Sequence, residues 1–477
     1  MIKLFRKFRK LLLTIFTVLV GYALFKSYTL GFPIKYLVLL GLASVTYIIL
    51  LYGMLFQKKH WLQVLATVIV MISCVGVTYG SGVLNNVHNA LLELEKNIGK
   101  HDIISYQVII NQTYDTESGE VVPTLSELSD YSFGVLEMGN TTYNHDVVRK
   151  MREEMGVDVE FSSIRNNTEA TDLMVNDEIQ VLVINKAIRD MFETDLDDFT
   201  TVIATYEFED ERTVIDNPAK VTKEPFVFYI TGIDTEGDLS VTARSDVNMV
   251  GVINPLSKDI LIIDIPRDYY IPIACLYDEY DKLTHSGFYG PDCTVQTVSN
   301  YLGIDINYYA RINFTSVIKI IDAIGGVSVY SEHEFQADNF HFNEGYNYMT
   351  GTMALRFARE RYNLPNGDYD RIKNQSEVLK AVIAKMTSPS IINDYKAVLD
   401  VIVNNLETNM SSSDIIALVN MELNDMATWD IETYSLVAYD AYDYSAMMGE
   451  VLYMGYPDEE SVYEAKALIE DIMNRVY

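Results

Sequence analysis

The sequence predicts an α/β protein that is preceded by membrane-spanning helices. Long apolar runs are confined to the first 80 residues, strand and helix patterns alternate afterwards, and a hydrophobic fraction of 49% suffices for a packed core. The first 80 residues hold nine of the 36 basic residues and none of the 67 acidic ones. The remainder is therefore strongly acidic and repels phosphate backbones, so we expect no nucleic-acid partner.

Three apolar runs fill residues 1–80, and we interpret them as three transmembrane helices. The runs are Leu11–Phe25, Ile34–Phe56 and Trp61 to about Gly80. The second and third have the roughly 20 residues that a helix needs to cross hydrocarbon, and the first is short. Basic residues at the N-terminus and at 57–60 are expected on the cytoplasmic side. The protein is then a multi-pass protein of the cell membrane, with everything after Gly80 outside the cell.

Residues 81–220 are predicted to form an extracellular accessory domain of the α/β class. Leu84–Ile98 has a helical pattern typical of a stalk, Tyr106–Ile110 and Ile179–Ile184 are predicted strands, and Asp146–Met155 is a predicted helix. This segment contains no nucleotide-binding loop and no cluster of histidines or cysteines, so its sequence assigns it no role. A charged stretch with two prolines, 216–225, marks the boundary to a third region, 221–477.

The third region begins with three predicted strands, Phe226–Thr231, Asn248–Ile253 and Asp259–Ile265. The turn at 254–258 makes the last two strands a hairpin. If the first strand pairs antiparallel with the second, the polar residues at three strand ends share one edge of the sheet. Ligands of open α/β sheets bind in such crevices. The residues expected to line this crevice are Asp234, Arg244, Asp246, Arg267 and Asp268.

Five arginines lie near carboxylates in this acidic region: Arg244, Arg267, Arg359, Arg361 and Arg371. Guanidinium groups match phosphate oxygens in two-point contacts. Asp234 and Asp246 are hard oxygen ligands that suit Mg²⁺, which bridges carboxylates to substrate phosphates. The pattern predicts a site that binds a pyrophosphate and neutralises the charge that develops when it is cleaved. Ordinary salt bridges explain the same spacing, and that alternative stays open.

Other residues that draw attention have more than one interpretation each. His285 is a substrate contact, a solvated surface residue or a core residue, and the last two interpretations are favoured. Cys275 and Cys293 are either a disulfide, which persists outside the membrane, or two buried thiols. The apolar stripe of the predicted helix from Phe314 to Ile324 is typical of core packing.

Eight motifs resemble, in this order, the LytR-CpsA-Psr family, over roughly Phe226 to Met386. The three spans and the accessory domain resemble the capsule-associated branch of that family. The motifs are Gly232-Ile-Asp234, Arg244-Ser-Asp246, Ile265-Pro-Arg-Asp268, Lys282-Leu-Thr-His285, Tyr309-Ala-Arg-Ile-Asn-Phe314, Asp322-Ala-Ile-Gly-Gly-Val327, Ala354-Leu-Arg-Phe-Ala-Arg-Glu-Arg361 and Gly367-Asp-Tyr-Asp-Arg371.

The resemblance implies an α-β-α sandwich that binds a polyprenyl pyrophosphate lipid. It implies a Mg²⁺-dependent phosphotransferase that moves a glycan phosphate, expected to be capsular polysaccharide, from the lipid to peptidoglycan. Asp234 and Asp246 match the metal ligands, and together with Arg267 and Arg371 they form the expected catalytic set. The expected pyrophosphate-binding residues are Arg244, Arg267, Lys282, Arg359, Arg361, Arg371 and Gln375.

The resemblance also implies an apolar tunnel for the lipid tail. Ile318, Ile321 and Leu355 are candidate wall residues, with core packing as the alternative. Thr284 and Arg311 depart from the family pattern and are expected to tune contacts with the acceptor or the phosphate.

Two functions other than a transferase stay open at this point. The outer region could bind lipid only and regulate capsule assembly, or water could replace the sugar hydroxyl, which would make the protein a lipid pyrophosphate phosphatase. Only short basic segments face the cytoplasm, and these are too small for a DNA-binding fold.

Overall fold

The computed structural model describes residues 2–29, 32, 34–97, 102–113, 120–192, 194–210, 217–233, 239, 241–388, 401, 405–425 and 427–476. Along these residues, three N-terminal helices are followed by a smaller sheet and then by a larger sheet.

The N-terminal helices are α1 (Ile2–Thr29), α2 (Ile34–Leu55) and α3 (His60–Asn97). Each contains a segment long and apolar enough to cross a membrane, of 25, 22 and 23 residues respectively. The first is longer than the apolar run predicts, because helix α1 continues through the basic residues on both sides of it. Helix α3 runs unbroken to Asn97, so the predicted stalk is helical to that residue, and Ile98 lies outside the described residues.

The smaller sheet has the strand order β3-β2-β4-β1-β5. Its strands are β1 (Asp102–Ile110), β2 (Phe133–Leu136), β3 (Phe161–Ile164), β4 (Val181–Asn185) and β5 (Thr201–Asp210). Strand β2 is parallel to β3 and β4, whereas β1 is antiparallel to β4 and β5. Two helices accompany the sheet, α4 (Asn144–Met155) and α5 (Asn167–Val175). Both predicted strands and the predicted helix of this region are confirmed.

The larger sheet has the strand order β16-β11-β6-β7-β8-β17. Strand β7 is antiparallel to both β6 and β8, while β11 is parallel to β6 and β17 is parallel to β8. The end of β6, the start of β7 and the end of β8 therefore meet at one edge, as the sequence predicts. The strands are β6 (Phe226–Ile233), β7 (Ser245–Asn254), β8 (Asp259–Asp264), β11 (Tyr308–Asn313), β16 (Glu407–Thr408) and β17 (Asp430–Ser435).

Helices cover both faces of the larger sheet, because its central strands are apolar on both sides. Helices α6 (Pro291–Leu302) and α11 (Glu459–Asn474) pack on the face that carries Val227 and Leu261. Helices α9 (Asp368–Met386) and α10 (Ser412–Asp425) pack on the opposite face, against residues such as Ile262 and Phe226. This arrangement is an α-β-α sandwich and confirms the predicted fold class.

Helices α7 (Phe314–Ala323) and α8 (Gly351–Arg359) lie directly against each other. Helix α7 begins at the Asn313 side chain, which accepts a hydrogen bond from the backbone N–H of Ser316. A Cβ at Gly351 would lie 2.2 Å from the carbonyl oxygen of Ile318, so only glycine permits this approach. The close contact fixes the start of α8 against α7.

Four antiparallel hairpins complete the larger region. They are β9 (Tyr270–Pro272) with β10 (Tyr280–Lys282), β12 (Val327–Ser331) with β15 (Gly345–Met349), β13 (Phe335–Ala337) with β14 (Phe340–Phe342), and β18 (Ala438–Ser445) with β19 (Glu450–Pro457). Cys275 and Cys293 form a disulfide, which decides between the two interpretations left open by the sequence.

Candidate active site

Three side chains meet where β7 begins and β8 ends. Nη1 of Arg267 donates a hydrogen bond to Oδ2 of Asp246 at 2.9 Å, and Oγ1 of Thr284 donates to Oδ1 of the same carboxylate at 3.0 Å. Asp246 is the second residue of β7, and Arg267 follows the end of β8 by three residues. The predicted crevice therefore brings Asp246 and Arg267 together. Thr284, a departure from the family pattern, holds the aspartate in place.

Asp268 and Lys282 extend the same group of charges. Nζ of Lys282, at the end of β10, lies 3.0 Å from Oδ1 of Asp268, and Nε of Arg267 lies 3.6 Å from Oδ2. Acids and bases thus alternate along the sheet edge, and both side chains of the Lys282–Asp268 pair are mostly buried.

The first turn of α9 brings a second arginine to this edge. Nη2 of Arg371 lies 2.8 Å from Oδ1 of Asp368, three residues earlier on the helix. Burial lowers the pKa of Arg371, the carboxylate of Asp368 opposes that shift, and the neighbouring guanidinium groups of Arg267 and Arg361 add to it.

We call Asp246, Arg267, Asp268, Lys282, Asp368 and Arg371 the arginine cluster. For Arg267, burial lowers the pKa, but the carboxylates of Asp246, Asp268 and Asp368 raise it above its ordinary value. Within the part of the chain that the structure describes, the Nε atoms of Arg267 and Arg371 are buried without a hydrogen-bond partner. Unused buried donors of this kind suit the oxygens of a bound phosphate.

The other predicted phosphate ligands lie in different surroundings. The guanidinium of Arg359 lies 4.0 Å from the centre of the Phe314 ring, and that of Arg361 lies 4.7 Å from the ring of Tyr362. Nε2 of Gln375, one turn after Arg371 on α9, donates to the carbonyl of Ala358 at 3.3 Å and so ties α9 to the end of α8.

Two predicted residues are located by the backbone only. Arg244 directly precedes β7 and is partly exposed at the same sheet edge. Asp234, the other predicted metal ligand, follows β6 directly and lies outside the described residues.

The predicted Mg²⁺ site is compatible with Asp246. Each oxygen of this carboxylate accepts one hydrogen bond and keeps a further lone pair, so the group can still reach a cation. Among the described residues no group of three or more histidine, cysteine or acidic side chains is arranged for a metal ion. Mg²⁺ commonly binds through one or two carboxylates plus substrate phosphates, so this finding agrees with a metal that arrives with its substrate.

Three expectations about single residues are decided by burial. His285 is a core residue, since its Nδ1 lies 2.7 Å from the fully buried carboxylate of Asp281. Ile321 is 1% exposed within an apolar cluster, which favours core packing over a tunnel wall. The expectation for Arg311 is wrong, because its buried guanidinium contacts Asp102 and Glu407 rather than a surface that a phosphate or acceptor reaches.

Asp281 anchors the segment that carries Lys282. Burial raises its pKa, but hydrogen bonds from His285 and from the backbone N–H groups of Met447 and Lys282 lower it below the ordinary value. The hydroxyl of Ser445 also donates to this carboxylate at 2.9 Å. One charged group therefore links β10 to the turn between β18 and β19.

The sequence interpretation missed two acids near the cluster. Asp368 was overlooked as a site residue, although its position three residues before Arg371 on a predicted helix indicates an ion pair. Asp264, the last residue of β8, is 1% exposed and accepts hydrogen bonds from the hydroxyls of Ser376 and Ser435. Burial raises the pKa of Asp264 to about 7, and the two serines oppose the shift.

A sequence model of the LytR_cpsA_psr family matches residues 193–462, more than half of the chain. The chain belongs to the LytR-CpsA-Psr family. Its relatives include the polyisoprenyl-teichoic acid–peptidoglycan teichoic acid transferase TagU of Enterococcus faecalis, 35% identical over 195 residues, or 40% of this chain and 64% of the relative. TagU of Bacillus mycoides is 38% identical over 199 residues, with 41% and 64% covered. The chain thus spans just under two thirds of the length of these relatives.

Solved structures of family members are also similar to this chain. The crystal structure of B. subtilis TagU has 26% sequence identity and a TM-score of 0.42, and the match covers 54% of this chain and 99% of that one. A structure of TagT bound to LI-WTA has 26% identity and a TM-score of 0.44, with 54% and 94% covered. The family membership predicted from the ordered motifs is confirmed by the match over residues 193–462.

Proposed function

We propose that this protein is a cell-wall phosphotransferase, which moves a glycan phosphate from a polyprenyl pyrophosphate carrier to peptidoglycan. The observation that carries the proposal is the pair Arg267 and Arg371, two largely buried guanidinium groups at the same sheet edge whose Nε atoms have no hydrogen-bond partner among the described residues. The names of the relatives, polyisoprenyl-teichoic acid–peptidoglycan teichoic acid transferases, support the same donor and acceptor classes.

The cluster can supply most of what phosphoryl transfer needs. The acceptor hydroxyl oxygen forms a new bond to the phosphorus next to the glycan, the anhydride P–O bond breaks, the hydroxyl proton is released, and polyprenyl phosphate leaves. Arg267 and Arg371 hold the pyrophosphate and stabilise the charge that develops on the leaving oxygen. Asp246 and Asp368 orient these arginines, and Lys282 adds a point charge. Mg²⁺, held by Asp246 and Asp234, would neutralise further phosphate charge.

The identity of the glycan is a finer part of the proposal. The three helices with an accessory domain resemble the capsule-associated branch of the family, which supports a capsular polysaccharide. The names of the relatives specify teichoic acid instead. Offering both lipid-linked glycans to the same preparation and comparing kcat/KM distinguishes the two donors.

We also propose that the protein crosses the cell membrane three times and that the region after α3 is extracellular. Nine bases and no acids before residue 81 support cytoplasmic placement of the N-terminus and of the turn at 57–60. Nζ of Lys35, at the start of α2, donates to the carbonyl of Asn424 at 2.8 Å. The α1–α2 connection thus lies on the same side as the large region. Protease added to intact cells should digest that region, and its protection would contradict the three-span topology.

Reconstitution of the full chain with lipid-linked glycan and peptidoglycan tests the activity. We expect polyprenyl phosphate and covalently modified peptidoglycan in equal amounts. Release of glycan phosphate without any acceptor would identify a lipid pyrophosphate phosphatase. Lipid binding with no turnover of either donor would identify a regulator. A chain carrying Arg371→Ala serves as the inactive control, and Arg475→Ala, in an ion-pair group near the C-terminus, serves as the matched active one.

A further inference from the structure

A cleft of about 530 Å³ lies beside the arginine cluster, and five of its ten lining residues are tyrosines. It is built between the β9–β10 hairpin, the β18–β19 hairpin, the end of α6 and the start of α11. We call it the tyrosine cleft. Its tyrosines are Tyr270, Tyr280, Tyr301, Tyr444 and Tyr456.

Three rings of the tyrosine cleft, those of Tyr270, Tyr280 and Tyr456, pack against one another. The ring centre of Tyr270 lies 5.4 Å from that of Tyr280 and 5.3 Å from that of Tyr456. The hydroxyl of Tyr270 donates to the carbonyl of Tyr444 at 3.0 Å, which joins the two hairpins. The hairpins therefore present a fixed aromatic surface, although Tyr280 and Tyr444 are about half exposed. Aromatic rings held in this way bind with little loss of side-chain entropy.

Polar groups in the cleft are available to a ligand. The hydroxyl of Tyr301 is buried and has no hydrogen-bond partner among the described residues. The carboxylates of Glu279 and Glu459 also line the cleft, and neither pairs with a basic side chain within the described part of the chain. A wall of aromatic faces with a few hydrogen-bonding groups and unneutralised acids repels anions. It suits a ligand that has apolar C–H faces and many hydroxyl groups.

The tyrosine cleft and the arginine cluster meet at the β9–β10 hairpin, which carries both Tyr280 and Lys282. Tyr280 and Lys282 are two residues apart on β10, on one face of the strand and about 7 Å from each other. Nζ of Lys282 lies 5.6 Å from the ring centre of Tyr453 on β19, the strand that also carries Tyr456. The backbone N–H of Gly455 donates to the carbonyl of Asp268 at 2.8 Å. A ligand in the cleft therefore lies within a sugar unit or two of the cluster.

We propose that the tyrosine cleft is a saccharide subsite, which binds uncharged or amino-sugar pyranose units next to the bound pyrophosphate. The assignment as a subsite rests on the proposed function, because it supposes that the arginine cluster binds pyrophosphate. The C–H faces of the pyranose rings stack on Tyr280 and Tyr444, and the sugar hydroxyls donate to Glu279 and Glu459. Both the donor glycan and the glycan strand of peptidoglycan offer this chemistry.

Binding measurements on the full chain in detergent test the proposal. The first probe is a soluble tetramer of N-acetylglucosamine. Wild type should bind it saturably, and Tyr280→Ala and Tyr444→Ala should each weaken binding roughly tenfold, as expected for aromatic residues central to an interface. Tyr280→Phe, which keeps the ring, should bind almost like wild type. The control is Tyr346→Ala, an exposed tyrosine on β15 outside the cleft, which should change nothing. No saturable binding by wild type, or equal affinities for all variants, overturns the proposal.

Two further probes serve two purposes. They distinguish the donor glycan from the acceptor strand as the source of the saccharide, and they test the proposed function independently of the cleft. Farnesyl pyrophosphate without sugar should bind wild type and the tyrosine variants equally. If wild type binds the tetramer but not this pyrophosphate, the proposed function fails while the cleft still binds saccharide. Farnesyl pyrophosphate with an attached N-acetylglucosamine completes the comparison. Loss of affinity in the tyrosine variants for this compound identifies the donor glycan. Loss only for the free tetramer identifies the acceptor strand.

Discussion

Burial lowers the pKa of the Arg371 guanidinium, and the positive charge of Arg267 lowers it further, against the opposing carboxylate of Asp368. Both side chains are largely buried, and three carboxylates surround them, those of Asp246, Asp268 and Asp368. Two adjacent like charges with limited access to water repel each other, and an anion placed between them relieves that repulsion. This relief of repulsion supports the proposed phosphate site, and the three carboxylates provide the same compensation while no phosphate is bound.

Replacing Arg267 or Arg371 by lysine should lower lipid-phosphate transfer by roughly ten- to a hundredfold, because a charge-assisted contact contributes about 1.5–3 kcal/mol. Lysine keeps the charge and loses the two-point geometry, so the melting temperature should change little. Turnover per folded molecule and thermal unfolding are measured on the same samples. Arg475→Lys, in an exposed ion-pair group, is the control with no expected loss of turnover. Lower melting temperatures with normal turnover would mean that the two arginines serve the fold.

Asp246→Asn should weaken Mg²⁺ binding at least tenfold if Asp246 is a metal ligand, because the amide loses the negative charge that a hard cation requires. Titration calorimetry of Mg²⁺ into the pyrophosphate-bound protein measures this directly and does not depend on turnover. Asp268→Asn is the matched control, since Asp268 also contacts Arg267 but was not predicted as a metal ligand. Equal Mg²⁺ affinities in the two variants would remove Asp246 from the metal site.

Arg311→Met should lower the free energy of unfolding by about 3–5 kcal/mol, because it leaves the buried Asp102 and Glu407 without the guanidinium. Asp102 begins the smaller sheet and Arg311 lies in the larger one, so the pair also joins the two regions. Arg356→Met breaks an exposed pair with Asp338 and should cost less than about 1 kcal/mol. Chemical denaturation of the full chain measures the free energy of unfolding of both variants and of wild type. Equal losses in the free energy of unfolding would show that burial does not increase the contribution of the Arg311 ion pair to stability.

Asp264 should make the protein less stable as the pH rises from about 4 to about 7. The ordinary pKa of an aspartate is 3.8 and burial raises that of Asp264 to about 7, so in this range the folded protein keeps a proton that the unfolded chain releases. Asp264→Asn removes the titration, so its melting temperature relative to wild type should rise between pH 4 and pH 8. The same substitution at the exposed Asp172 should leave the pH profile unchanged. A melting-temperature difference between Asp264→Asn and wild type that stays constant from pH 4 to pH 8 would contradict the raised pKa of Asp264.

The sheet edge could be predicted from the sequence because its geometry is local. A short turn after Asn254 forces β7 and β8 to pair, and residues at the ends of neighbouring strands must then meet. Asp246 and Arg267 are 21 residues apart, and their contact follows from that hairpin alone. The order of the motifs along the chain predicted the family, and the family resemblance in turn predicted the α-β-α layers of the sandwich.

Contacts between distant segments could not be predicted in this way. Arg311 and Asp102 are 209 residues apart, and nothing in either segment shows that the two sheets pack together. His285 and Asp281 have the spacing of a helical ion pair, but their burial depends on Ser445 and Met447 from a remote hairpin. The same hairpin, β18–β19, contributes to the tyrosine cleft. Because the residues that line the cleft come from segments distant in the sequence, no sequence pattern identifies them as a group.

Helix α3 is considerably longer than the segment that can cross a membrane. Its 38 residues extend about 57 Å, nearly twice the thickness of the hydrocarbon core, and it continues unbroken past the apolar segment at His60–Gly82. Helix α10 packs beside α3, and Lys35 contacts Asn424 at the end of α10, so the outer region has a second point of attachment. If α3 crosses a bilayer, a change in its tilt moves helix α10, which packs beside it. Membrane thickness would then change the position of α10 relative to the lipid headgroups.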